Sequence, residues 1–176
     1  MMPNKKTIGI TGAGGSLGKA LTKKFRSHGY KIIGFTHNRK PQELVEEGPN
    51  EWVYWECGKE FLLENSLSKI DILILNHGIY DYKQDLEKSI EINATSKIKI
   101  LKLFEKISLS QSIESSPKEI WINTSEAEIL PALNPCYEIS KSLIGQVVTF
   151  KRNFNNQNES RNLIIKKIIL GPFKSD

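Results

Sequence analysis

The sequence predicts an α/β fold: a doubly wound, mostly parallel sheet of about six strands with helices on both faces, three layers in all. Three observations predict it. Strand-like and helix-like segments alternate along all 176 residues. The segment Ile70–Leu75 is strongly apolar between polar ends, as a strand buried on both faces should be. A glycine-rich turn joins the first strand to the first helix. Right-handed crossovers then leave a ligand crevice at the carboxyl ends of the strands.

Taken in order, Thr7–Thr11 reads as a short apolar strand. Ser16–His28 reads as a helix, with Leu17, Leu21 and Phe25 at helical spacing and Gly29 as its stop. Tyr30–Thr36 is the next strand, Glu43–Glu47 a helical turn and Trp52–Trp55 a short strand. After Ile70–Leu75 a long helix spans Asp85–Ile107, its apolar side marked by Ile90, Ala94, Ile98 and Leu101. Lys118–Asn123 is a strand, Pro135–Phe154 a helix and Leu163–Leu170 the last strand. The length suits one domain.

Composition is ordinary for a globular protein, with 39% apolar and 26% charged residues and a net charge of +5. The basic residues are dispersed, without an arginine-rich arm or interleaved aromatics, which argues against nucleic acid as a partner. Cys57 and Cys136 stand far apart and lack metal-ligand spacing, as expected of a reducing, cytoplasmic setting. No apolar stretch reaches the ~18 residues of a membrane span.

The turn Thr11–Gly18, TGAGGSLG, carries the first functional signal. Gly12 permits a tight turn, Gly14 and Gly15 admit a pyrophosphate against the backbone, and Gly18 allows close helix–sheet packing. Ser16, Leu17 and Gly18 then offer helix N-terminal N–H groups to phosphate. A carboxylate about 20 residues further on would hold the 2′-hydroxyl of NAD. Here the second strand ends in Thr36, His37, Asn38 and Arg39, with no acid. Arg39 suits a 2′-phosphate, so NADP(H) is expected over NAD(H).

Tyr137 and Lys141 form a YxxxK pair, which a helix places on one face. A free tyrosine is a poor base at neutral pH, and a nearby ammonium favours its phenolate. With the glycine turn, this pair resembles the short-chain dehydrogenase/reductase family, over nearly the whole chain from Thr7 to Lys174. The glycine spacing resembles that family's extended, sugar-nucleotide branch through Gly12, Gly15 and Gly18. Ser125 precedes Tyr137 by 12 residues, a gap resembling the compact branch; a count of 13 selects Thr124 instead. The chain is also similar to a divergent group of such proteins that includes sterol desaturase/short-chain dehydrogenase bifunctional proteins.

The resemblance implies an NADP(H)-dependent carbonyl reductase or alcohol dehydrogenase acting on a small-molecule carbonyl or alcohol. Ser125 or Thr124 would bind the oxyanion. Tyr137 would exchange the proton, Lys141 would hold the nicotinamide ribose and lower the tyrosine pKa, and Asn93 would keep a relay water. Asn76, His77 and Gly78 match the family element beside the adenine ribose, with His77 structural or on the ribose side. Gly171 and Pro172 stand near the nicotinamide site, in the order opposite to the family's, and Ser175 near its threonine. Glu56 stands where the family often has an aspartate for adenine. A non-catalytic dinucleotide-binding or redox-sensing protein and a sugar-nucleotide epimerase are the alternatives. The resemblance further implies a homodimer, built through helices carrying Ile98, Leu101, Ile144 and Val148. It also implies that a substrate-covering segment and a seventh strand lie beyond Asp176, leaving an open substrate side and low turnover in these residues.

Overall fold

A computed structural model describes residues 5–38, 48–112, 115–157 and 162–172. Arg39, the helical turn expected at Glu43–Glu47, and Lys174 and Ser175 lie outside the described residues. Six strands form one sheet: β1 (Thr7–Thr11), β2 (Lys31–Thr36), β3 (Glu51–Tyr54), β4 (Ile72–Leu75), β5 (Lys118–Ser125) and β6 (Leu163–Leu170). Their order is β3-β2-β1-β4-β5-β6, and every pairing is parallel. The chain reverses direction across the sheet between β1 and β4, which opens a crevice above those two strand ends.

Alternation along the strands feeds two cores. Ile8, Ile10, Ile32, Ile72 and Ile74 pack on one face, against Leu21 and Phe25 of helix α1 (Ser16–Ser27). Ile33, Phe35, Leu73, Leu75, Ile120 and Ile122 turn to the other face. There they meet α2 (Glu64–Ser68), α4 (Ser96–Leu109) and α5 (Pro135–Gln157) through Leu67, Leu101, Phe104, Ile144 and Val148. A short helix α3 (Leu86–Ile90) leads into α4 through a π turn over Glu91–Thr95.

Several boundaries shift for physical reasons. The strand expected from Ile70 begins at Ile72, because the Asp71 carboxylate leaves the apolar run to accept the Thr7 N–H at 2.7 Å. β5 runs on to Ser125, since β6 pairs with it to that residue. A 3-10 turn at Glu60–Leu63 and α2 were not foreseen. Of the residues expected between two copies, Leu101, Ile144 and Val148 are buried against the sheet, and Ile98 is partly buried against the same core.

Candidate active site

The glycine turn follows β1 as expected. Gly12 takes φ +66°, a left-handed conformation that favours glycine, and its N–H donates to the Phe35 carbonyl at 3.1 Å. A Cβ on Gly18 would lie 2.2 Å from the Gly12 carbonyl oxygen and 2.7 Å from the Ala13 Cα. The helix therefore starts hard against the turn. Gly15 is the N-cap of α1, without a side-chain capping bond, and the first turn holds no acid. Gly15 is exposed and Gly14, Ser16 and Leu17 are half-buried, so the positive end of α1 with its first-turn N–H groups lies near the surface, an arrangement that fits a phosphate.

At the end of β2 the Thr36 side chain is buried and accepts the Asn38 N–H at 3.1 Å, while His37 is exposed. No carboxylate stands there among the described residues. Glu56 does not reach freely toward an adenine: it accepts hydrogen bonds from Tyr54 and Lys59.

Beyond β4, three consecutive residues tie the glycine turn to the catalytic candidates. Asn76 accepts from Asn123 Nδ2 at 2.9 Å, which fastens the ends of β4 and β5 together. His77 is buried; its Nδ1 lies 2.7 Å from Thr11 Oγ1 and its ring meets Trp55 edge-on. Burial, with Lys97 and Lys141 nearby, pushes the His77 pKa well below the usual imidazole range. A Cβ on Gly12 would lie 2.9 Å from the His77 Cα, so turn and loop touch. A Cβ on Gly78 would lie 2.8 Å from Asn93 Oδ1 and 3.4 Å from Lys141 Nζ. One short path thus runs from the phosphate turn to the lysine.

Asn93 sits in the π turn, fully buried. Its Oδ1 accepts the Ile79 N–H at 2.8 Å, and its Nδ2 donates to the Ile79 carbonyl at 2.9 Å and to Ser140 Oγ at 3.0 Å. The side chain locks the loop after β4 to α5, and these bonds use one of the two Oδ1 lone pairs. Tyr137 is half-buried near the start of α5. Asn134 Oδ1 accepts its N–H, the Tyr80 ring lies 5.1 Å away, and Lys141 Nζ stands 5.3 Å from its ring centre. Burial lowers the Lys141 pKa to about 8, against the opposing pull of Glu128.

Strand alternation separates the two hydroxyl candidates. Thr124 is buried, and its Oγ1 donates to the Ile168 carbonyl at 3.3 Å on β6. Ser125 ends β5 and caps a 3-10 turn at Glu126–Glu128, accepting the Ala127 N–H at 3.2 Å. Its O–H remains available as a donor. Gly171 and Pro172 are exposed just past β6, with Gly171 near Glu126. Lys97, buried in α4, belongs to this neighbourhood and was not singled out from the sequence.

Residues 8–156 match the family model described as the NAD dependent epimerase/dehydratase family. This chain is a member of that family. The epimerase/dehydratase-family chain is 36% identical over 179 residues to a monoglucosyldiacylglycerol epimerase of Synechocystis sp., covering 97% of this chain and 42% of the relative. It is 27% identical over 97 residues to a 1,2-dihydroxy-1,2-dihydronaphthalene dehydrogenase of Pseudomonas putida, covering 49% of this chain and 38% of that one. The chain therefore spans less than half the length of these curated relatives. Among solved structures, a short-chain dehydrogenase from Burkholderia cenocepacia in complex with NADP overlays with TM-score 0.79 at 16% identity, over 100% of this chain and 76% of that one. One from Sphingobium yanoikuyae in complex with NADPH gives 0.77 at 14%, over 97% and 72%. These overlays establish the fold: the family member has the short-chain dehydrogenase architecture that its motifs resemble.

Proposed function

We propose that this chain is the dinucleotide-binding, catalytic part of an oxidoreductase that moves hydride on or off a secondary carbinol carbon. One observation carries the reading. The buried Lys141 beside Tyr137 is joined through Gly78, His77 and Gly12 to an uncapped helix N-terminus. The Gly18–Gly12 contact, the absence of a side-chain cap or first-turn acid on α1 and, among the described residues, the lack of a carboxylate at Thr36 fit an anionic dinucleotide, with NADP(H) favoured.

When bound, the dinucleotide supplies or accepts the hydride at the substrate carbon. The side chains manage the oxygen. In the reducing direction Tyr137 Oη donates its proton to the carbonyl oxygen as the carbon becomes tetrahedral. In the oxidising direction its phenolate takes the carbinol proton. Lys141 stabilises that phenolate by charge and would hold the nicotinamide ribose of a bound dinucleotide. Ser125 Oγ donates a hydrogen bond to the developing oxyanion, and Thr124, bonded to β6, does not. Asn93 keeps loop and helix in register and offers its spare lone pair to a relay water.

Net reduction of a carbonyl is one outcome of this chemistry. Epimerisation, in which the carbinol is oxidised and then reduced on its opposite face, is the second reading; the 36% identical relative named as an epimerase favours it, and with it a glycosyl-lipid substrate. An assay with NADPH over carbonyl and glycosyl substrates separates the two. A reductase consumes NADPH, an epimerase converts substrate with no net change in nicotinamide, and binding without either outcome points to a sensor.

Cofactor preference has its own test. NADPH should raise the melting temperature more than NADH, since stabilisation follows affinity. Equal or reversed shifts would remove the preference read from Thr36.

We also propose pairing of two copies through α5, whose exposed side carries Ile139, Leu143 and Phe150 in place of the buried residues first expected. Light scattering at micromolar concentration should give twice the monomer mass; a monomer mass overturns this arrangement.

A further inference from the structure

The site holds a second buried amine that hydride transfer, as described, does not use. Lys97 follows Asn93 by one helical turn and is 1% exposed. Its Nζ donates to the Asn123 carbonyl at 2.8 Å. An ammonium has three N–H donors to satisfy. The charged groups that face it share its sign: Lys141 from α5, and His77, when protonated, from the loop after β4. Glu128 acts on Lys141, and Cys57 is engaged by Ser96. No carboxylate acts on Lys97 among the described residues. His77 Nε2, also buried, has no hydrogen-bond partner among the described residues.

A buried ammonium without a counter-charge is costly, and a group so placed gives up its proton instead. Methionine would fill the same volume at no such cost. An amine kept there against stability points to a task in the site. Two buried amines that repel each other cannot both be charged cheaply, so they titrate as a pair. Glu128, itself paired with Lys167, breaks the symmetry, because of the two buried amines it favours charge only on Lys141.

We propose that Lys97 is a positioning residue: paired with Lys141, it holds the pocket at one positive charge, borne by Lys141 beside Tyr137, while its own neutral amine braces β5 at Asn123, two residues before Ser125. A second proton, entering on acidification, sets two ammonium groups against each other and loosens Lys141 from Tyr137. The role in turnover rests on the hydride-transfer reading; the charge state of Lys97 does not.

The test compares Lys97→Met with the unaltered chain by thermal unfolding between pH 7 and pH 10, without ligand. The folded chain holds the Lys97 pKa well below its ordinary 10.5, chiefly by burial. The unfolded chain therefore binds more protons below about 10.5, and the unaltered protein loses stability as pH falls from there toward the folded value. The methionine variant escapes that loss. Its advantage in melting temperature should be larger at pH 7 than at pH 10 by about 3 °C or more. Lys141 and Cys57 titrate in both proteins and cancel to first order, and His77 titrates below this window. Lys97→Gln, which keeps a donor for Asn123, should show the same trend and carries the test if the methionine variant fails to fold.

A difference that does not change with pH would overturn the proposal, since Lys97 would then be a simple strut. The second readout is the pH profile of hydride transfer: the acid limb should vanish in Lys97→Met, while the alkaline limb near the Lys141 value of about 8 stays. An unchanged profile removes the positioning role even if stability responds. If the unaltered chain neither binds NADPH nor turns over, the hydride-transfer reading fails and the stability comparison still decides the charge of Lys97.

Discussion

Tyr137→Phe is expected to lower hydride transfer by at least about 10²-fold while dinucleotide affinity stays within a few-fold. The substitution removes one hydroxyl and little else. The ring keeps its contact with Tyr80 at 5.1 Å and stays under Lys141 Nζ, 5.3 Å from the ring centre. The backbone N–H keeps its bond to Asn134 Oδ1, so the start of α5 is unchanged. What disappears is the group proposed to exchange a proton with the substrate oxygen. Single-turnover rates with saturating NADPH, beside a binding titration, separate the two effects. Undiminished transfer would take Tyr137 out of the chemistry, and a parallel loss of binding would mean that the phenol serves the cofactor instead.

Gly18→Val should unfold or severely loosen the nucleotide end of the molecule, at a cost of about 2–4 kcal/mol, and abolish dinucleotide binding. The new Cβ would meet the Gly12 carbonyl oxygen at 2.2 Å and the Ala13 backbone at 2.7 and 2.9 Å. Those are main-chain atoms, so no rotamer relieves the clash, and α1 must move away from β1. Gly15→Ala is the matched control. Its Cβ would sit 3.6 Å from the same oxygen, an ordinary contact, and its φ of −79° suits alanine. Denaturant melts of both variants should differ clearly; equal stability would mean that the helix tolerates displacement.

Much of the frame was legible because strands here are short apolar blocks bounded by turn residues. β1 and β6 fall where the sequence places them, and Gly29, at φ +81°, ends α1. Other features left no periodic trace. The 3-10 turn and α2 cover EFLLENSLS, where exposed Phe61 and Leu62 blur any apolar stripe and asparagine and serine weaken the helix signal. The π turn changes hydrogen-bond register without changing composition, so Asn93 could be chosen as a site residue but its surroundings could not. Ser125 and Thr124 were inseparable by spacing; the neighbouring strand distinguishes them by taking the threonine hydroxyl. Lys97 was overlooked because a lysine in a helix normally reads as solvent-facing. Its one available signal was position, four residues after Asn93 on the face that also buries Leu101.

Strand β6 has a property that bears on how these described residues behave in concentrated solution. β6 reads LIIKKIIL, two apolar triplets around a lysine pair, and among the described residues only β5 pairs with it. A long apolar strand with one free side is a template on which other chains can stack. The two lysines interrupt that template on both surfaces at once. Lys166 lies over the Trp121 ring and pairs with Glu119 on one side; Lys167 pairs with Glu128 on the other. An incoming strand would have to strip water or a carboxylate from each of them. Among the described residues, the pair thus acts as a gatekeeper against aggregation along this edge.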